Sequence, residues 1–131
     1  MRRLLWPVFA LSLGGCGGGS ISSSSPPPPS GDAFQTSWHA AVTSQTNSEF
    51  TSFDVFIEQN GTALQSQEVL LNYMCGQQGM MAGSATANTL AMTITANNDT
   101  IVINGTLLNG DITGTYTTSG PCGGDNHGTL T

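Results

Sequence analysis

Residues 90–116 read LAMTITANNDTIVINGTLLNGDITGTY. Leu90, Met92 and Ile94 alternate with Ala91, Thr93 and Thr95, and Ile101 and Ile103 alternate with Val102 and Asn104. Alternation with period two sends successive side chains to opposite faces of an extended chain, so each run has one apolar and one polar face. The turn Asn97-Asn98-Asp99 parts the first two runs, and Asn109-Gly110 leads into Ile112, Gly114 and Tyr116. Asn-Gly tolerates the positive φ angles of a two-residue hairpin turn. The stretch therefore predicts three consecutive antiparallel strands joined by tight turns.

The same pattern extends outward in both directions. Trp38, Ala40 and Val42 fall on one face of a first strand, and Thr51, Phe53, Val55 and Ile57 share a face opposite Asp54 and Glu58. Asn60-Gly61 is another hairpin signal, leading to a strand near 62–67, and Val69, Leu71 and Tyr73 suggest a further one. The most helix-like segment, Ala63 to Met74, reads better as two short strands. Gly128 to Thr131 supplies a closing strand. The expected fold is all-β, a small antiparallel meander of about 7–8 strands. Natural sheets often protect exposed edges with lysine. This chain contains only two basic residues, Arg2 and Arg3, so closure, which removes edges, is the expected solution. An up-and-down barrel is expected, closed or nearly so, with a β-sandwich as the alternative.

The first sixteen residues carry a different pattern. Met1-Arg2-Arg3 is a positive start, Leu4 to Leu13 is mostly apolar, and Leu13-Gly14-Gly15-Cys16 follows. Ten mostly apolar residues match a signal-peptide core and are about half of what a membrane-spanning helix needs. The last four residues resemble the lipobox of bacterial membrane lipoproteins. That resemblance implies diacylglycerol on the Cys16 sulfur, cleavage before Cys16 and acylation, with palmitate or a similar chain, of the new amine. Gly17 in the next position implies the outer membrane in a Gram-negative envelope, on its periplasmic or its surface side. Two or more acyl chains anchor stably where one does not. Residues 17–31, GGGSISSSSPPPPSG, have no apolar pattern to bury and read as a tether of flexible and stiff parts, reaching on the order of 20–40 Å. The organisation expected is 1–15 signal peptide, 16–31 lipidated cysteine and tether, and 32–131 barrel domain.

Cysteine count agrees with export. If Cys16 carries lipid, Cys75 and Cys122 remain as a pair, and an oxidising compartment favours a disulfide between them. Charge excludes whole classes of partner. After Arg3 there is no lysine or arginine, against eight acidic residues in the chain. Nucleic-acid binding requires basic groups against phosphate, so no nucleic-acid partner is expected. Docking to anionic lipid heads is excluded for the same reason, which leaves membrane attachment to the N-terminal lipid.

No constellation points to catalysis. There is no Gly-x-Ser-x-Gly elbow. Asp54 and Glu58 share a strand face, but four strand residues span ~13 Å, beyond the ~5–9.5 Å of glycosidase carboxylate pairs. His39 and His127 are distant in sequence, and residues 123–128 match no calcium loop. Met74, Cys75, Met80 and Met81 have soft ligand atoms suited to Cu(I), yet methionine more often fills core gaps. No catalytic residue, metal or cofactor is expected.

The pattern also resembles lipocalin-like barrels, with Trp38 in the first strand, although Thr36 stands where that family carries glycine. Residues 37–131 are similar in style to small Thr/Gly-rich bacterial lipoproteins of unassigned function. A barrel of about eight strands either fills with side chains or holds one small ligand. The side chains that would line such a site are Trp38, Phe53, Val55, Ile57, Leu71, Tyr73, Met92, Ile101, Ile103 and Tyr116. The expected role is a lipid-anchored, non-enzymatic envelope domain that meets another envelope protein. Carriage of a small apolar ligand is the alternative.

Overall fold

The computed structural model describes residues 1–3, 33–45 and 50–131. Its strands are β1 (Arg2–Arg3), β2 (Ser37–Ser44), β3 (Phe50–Phe56), β4 (Glu58–Asn60), β5 (Ala63–Tyr73), β6 (Gln78–Thr86), β7 (Thr89–Ala96), β8 (Asp99–Leu108), β9 (Asp111–Ser119) and β10 (Asn126–Leu130). Among the described residues there is no helix. Each long strand pairs antiparallel with its sequence neighbours, and β10 pairs back onto β2. The ring β2-β3-β5-β6-β7-β8-β9-β10 is a closed eight-stranded up-and-down barrel. The short β4 continues the line of β3 along β5, and β1 lies on β2.

The turns follow the sequence signals. Asn109 and Gly110 have φ of 53° and 83° and link Leu108 to its partner Asp111. Asn97 and Asn98, at 51° and 72°, link Ala96 to Asp99. Two successive positive φ angles give the hairpin turn whose twist matches that of the strands it joins. The Asn-Asn turn ends one residue earlier than the sequence suggests, because Asp99 already belongs to β8 and is fully buried.

Two expectations about strands are corrected. Residues 63–73 form one strand, not two. A register shift between Ser66 and Val69 turns Leu64 and Ser66 inward before it and Val69, Leu71 and Tyr73 inward after it. The extra residue of a bulge changes the parity of the alternation without breaking the strand. A second shift, between Phe50 and Ser52, puts Phe50 in the core and leaves Thr51 exposed, although Thr51 shares its parity with Phe53.

The core is the barrel interior, from Trp38, Phe50 and Phe53 through Met92, Ile101 and Ile103 to Tyr116 and Leu130. Phe50 stacks near-parallel on Phe53, with ring centroids 5.9 Å apart, and meets Tyr73 and Tyr116 edge-on at 5.5 and 5.3 Å. These are the offset and edge-to-face arrangements that aromatic quadrupoles favour. Close strand approach is bought with glycine: a Cβ on Gly114 would stand 2.1 Å from the Asn104 carbonyl oxygen on the adjacent strand.

Candidate functional site

Three regions of the barrel could carry function: its interior, the end that holds the cysteines, and its outer wall. The ten side chains expected to line a ligand site all lie in the interior core. None is more than 6% exposed, and Ile57, Ile101 and Ile103 are at 0%. A void large enough for water would leave accessible surface on the side chains around it, so these ten pack against one another. The sequence brings the right residues together, and they form a filled core.

One interior atom is anomalous. The Tyr116 hydroxyl is buried and has no hydrogen-bond partner among the described residues. A buried hydroxyl without a partner costs about 1–3 kcal/mol in lost hydration. The sequence gives no sign of this, because the alternation that places Tyr116 inward says nothing about what its oxygen meets.

The cysteine end is tied together by several bonds. Cys75 and Cys122 form a disulfide with Cα atoms 5.7 Å apart, joining the β5–β6 turn to the loop between β9 and β10. Asn97 Nδ2 donates to the Cys75 carbonyl at 3.1 Å, so the β7–β8 turn is held to the same place. Beneath the disulfide lies the Asp99 carboxylate. Tyr73 Oη donates to its Oδ2 at 2.7 Å, the Gly123 N–H donates to Oδ2 at 2.8 Å, and the Cys122 N–H donates to Oδ1 at 3.2 Å. Burial pushes the Asp99 carboxyl up, but these three donors outweigh it and hold the group below its ordinary value. Gly123 is required here, since a Cβ would stand 2.0 Å from the Tyr73 oxygen.

Ligand atoms of Cys75, Asp99 and Cys122 lie within 4.8 Å of one another. The two sulfurs are bonded to each other, so the arrangement is a covalent cap with a buried anion beneath it. The methionines considered as soft ligands are separated: Met74 and Met80 are exposed and Met81 is buried, as alternation along β6 demands. His39 Nδ1 lies 2.7 Å from Asp54 Oδ1, a half-exposed pair across β2 and β3, while His127 stands on β10 opposite Thr117. Cys16, the expected site of lipidation, lies outside the described residues.

The outer wall of β7, β8, β9 and β10, continued onto β2, carries rows of threonine. Thr89, Thr106 and Thr113 are cross-strand neighbours in one row, and Thr115, Thr129 and Thr43 form another. All six are exposed. Adjacent strands lie about 4.8 Å apart, so each row is a ladder of hydroxyl and methyl groups at that repeat. A groove runs beside them, lined by Ser84, Thr86, Ala91 and Asn104 as well as Thr89, Thr106, Thr113 and Thr115, with no charged side chain. The frequency of threonine is visible in the sequence, but the ladders depend on inter-strand register. Compared with protein-family models, with curated proteins and with solved structures, the chain gives no match.

Proposed function

We propose that the protein is a lipid-anchored module of the bacterial cell envelope. It is held by Cys16, and its barrel is a platform that docks another envelope protein through the threonine wall. The leader pattern and Leu13-Gly14-Gly15-Cys16 support the anchoring, and Gly17 favours the outer membrane in a Gram-negative cell. The two threonine ladders carry the docking reading. They offer hydrogen bonds and methyl contacts beside a groove whose lining carries no charged side chain, so docking there has little charge to desolvate. A stiff side chain with few rotamers also loses little entropy when it is covered.

The test is site-specific photo-cross-linking in intact cells. A photoreactive residue at Thr106 captures a defined envelope protein, and the same residue at Gln65, on β5, does not. Equal capture from both positions, or none from Thr106, refutes docking by this wall. Incorporation of labelled palmitate, lost in Cys16→Ser, tests the anchor separately.

A second reading, carriage of a small apolar ligand in the barrel interior, is favoured by the partnerless Tyr116 hydroxyl, which a ligand acceptor would satisfy. The closely packed interior weighs against it. Native mass spectrometry decides: an adduct of defined mass, lost on denaturation, supports the carrier reading.

A further inference from the structure

Across the ring from β8 and β9, the outer wall formed by β3, β4 and β5 has a different surface. Asp54, Phe56 and Glu58 point outward there, in alternation with the buried Val55 and Ile57. Phe56 is 52% exposed. It borders a groove of about 470 Å³ lined also by Gln35, Glu58, Gln59, Asn60 and Gln65. A second groove shares Phe56 and is lined by Asp54, Glu68 and Leu70 among others. From Asp54 to Asn60 the two follow the strands for roughly 20 Å. The first groove is set in advance. Gln59 Oε1 accepts from the Phe34 N–H at 3.0 Å, and its Nε2 donates to the Gly61 carbonyl at 2.9 Å. Gln65 Nε2 donates to Glu58 Oε2 at 3.1 Å across β5 and β4. A carboxamide has two donor hydrogens and an acceptor oxygen, and a carboxylate has two acceptor oxygens, so these groups keep capacity beyond the bonds they make.

We propose that this double groove binds a linear, neutral oligosaccharide, with one sugar ring stacked on Phe56. The lining chooses the ligand class. Asp54, Glu58 and Glu68 border the grooves, and neither groove contains a basic side chain, so an anionic ligand is repelled. A wholly apolar ligand would strip water from the carboxamides without replacing its hydrogen bonds. A sugar ring meets both demands. Its C–H face covers an aromatic ring, whose π face is electron-rich. The hydroxyls at its rim both donate and accept, as do the carboxamides of Gln35, Asn60 and Gln65. The first groove lies within the ~300–1,000 Å³ of small-ligand sites, and the length of the pair accommodates several rings in a row. Side chains already held by hydrogen bonds lose little freedom when a ligand covers them. Glycan and protein contacts then lie on opposite walls of the barrel.

The experiment uses the full chain purified from cells, in a detergent without a sugar headgroup. The probes are cellotetraose, chitotetraose and maltotetraose, and the anionic control is tetragalacturonate. The expected result is saturable binding of at least one probe at millimolar concentration or below. The side-chain amide NMR signals of Gln35, Gln59 and Gln65 shift with it, and the backbone amide of Thr106 does not. The control binds at least tenfold more weakly. Phe56→Ala weakens binding of the probe at least tenfold, and Phe56→Tyr, which keeps the ring, weakens it less than threefold. Phe56 is outside the core, so both variants should keep the urea midpoint of the parent. Failure of all three probes to bind at millimolar concentration overturns the proposal. So does binding that Phe56→Ala leaves unchanged. Equal or tighter binding at the same amides by a tetraproline peptide or by adenosine overturns it too, because the groove then selects another class of ligand.

Discussion

The two ends of the barrel are built on opposite plans. At one end, a disulfide, the Asn97 side chain and three donors on Asp99 tie together the β5–β6 turn, the β7–β8 turn and the loop between β9 and β10. At the other, Thr62 of one turn accepts from Ala85, Asn88 of the next accepts from Leu107, and residues 1–3 lie between β2 and Ile112. The same ring of strands is thus covalently cross-linked at one end and held by hydrogen bonds and packing at the other. Closure of a barrel and uniform rigidity of a barrel are separate properties, and this chain has the first without the second.

The largest effect expected from breaking this contrast is at the capped end. Replacing Cys75 and Cys122 together by alanine removes a link between residues 47 positions apart and lowers stability by about 4 kcal/mol, on the chain-entropy account, read from urea midpoints. Next is Asp99→Ala. It leaves the Tyr73 hydroxyl and two backbone N–H groups without their acceptor and costs about 3 kcal/mol by the same measurement. Acid should act through the same group. Its folded value is depressed, so its contribution is complete above the ordinary carboxylate value of about 3.9 and is lost as pH falls through the lower folded value. Asp99→Asn should flatten that acid limb of the stability curve while leaving others.

Smaller effects sharpen the contrast from the open end. In native-state hydrogen exchange of a chain cleaved before Cys16, the amides of His39 and Ile112, which face residues 1–3, should exchange at least tenfold faster than those of Ile94 and Ile101, which lie in fully paired strands. Equal rates would mean that the wall is as firm without residues 1–3 as elsewhere. The smallest effect is expected for Tyr116→Phe. Removing a buried hydroxyl that has no partner should change stability by less than about 1 kcal/mol, or raise it. A loss of more than about 2 kcal/mol would show that the oxygen has a partner in solution.

Most of the wall was legible in the sequence. Alternation located β2, β3, β7, β8 and β9, and the Asn-Gly and Asn-Asn dipeptides fixed their turns. The want of lysine for edge protection favoured closure, and the barrel is closed. The cysteine count led to the disulfide that is found. Three features were not legible. β6 went unread because Gly79, Ala82, Gly83 and Ala85 leave too little apolar contrast for an alternation to appear. The unity of β5 was hidden by a bulge, which resets parity within a strand. Asp99 passed for a turn residue because its neighbours Asn97 and Asn98 are turn formers, and its donors come from residues 23 to 26 positions away. The candidate site was half legible: the ten interior residues were identified, but only packing shows them to be a filled core.

The chain comes into the barrel through Ala33–Thr36, where the Phe34 N–H meets Gln59 and the Thr36 carbonyl accepts from Ile57, beside the first residue of β2. That is the end opposite the disulfide. An eight-residue strand rises about 27 Å, and barrel strands tilt by about 40°, so the two ends differ in height by roughly 20 Å. A pull applied through the chain before Ala33 therefore loads the Phe34–Gln59 and Thr36–Ile57 hydrogen bonds first and the disulfide last.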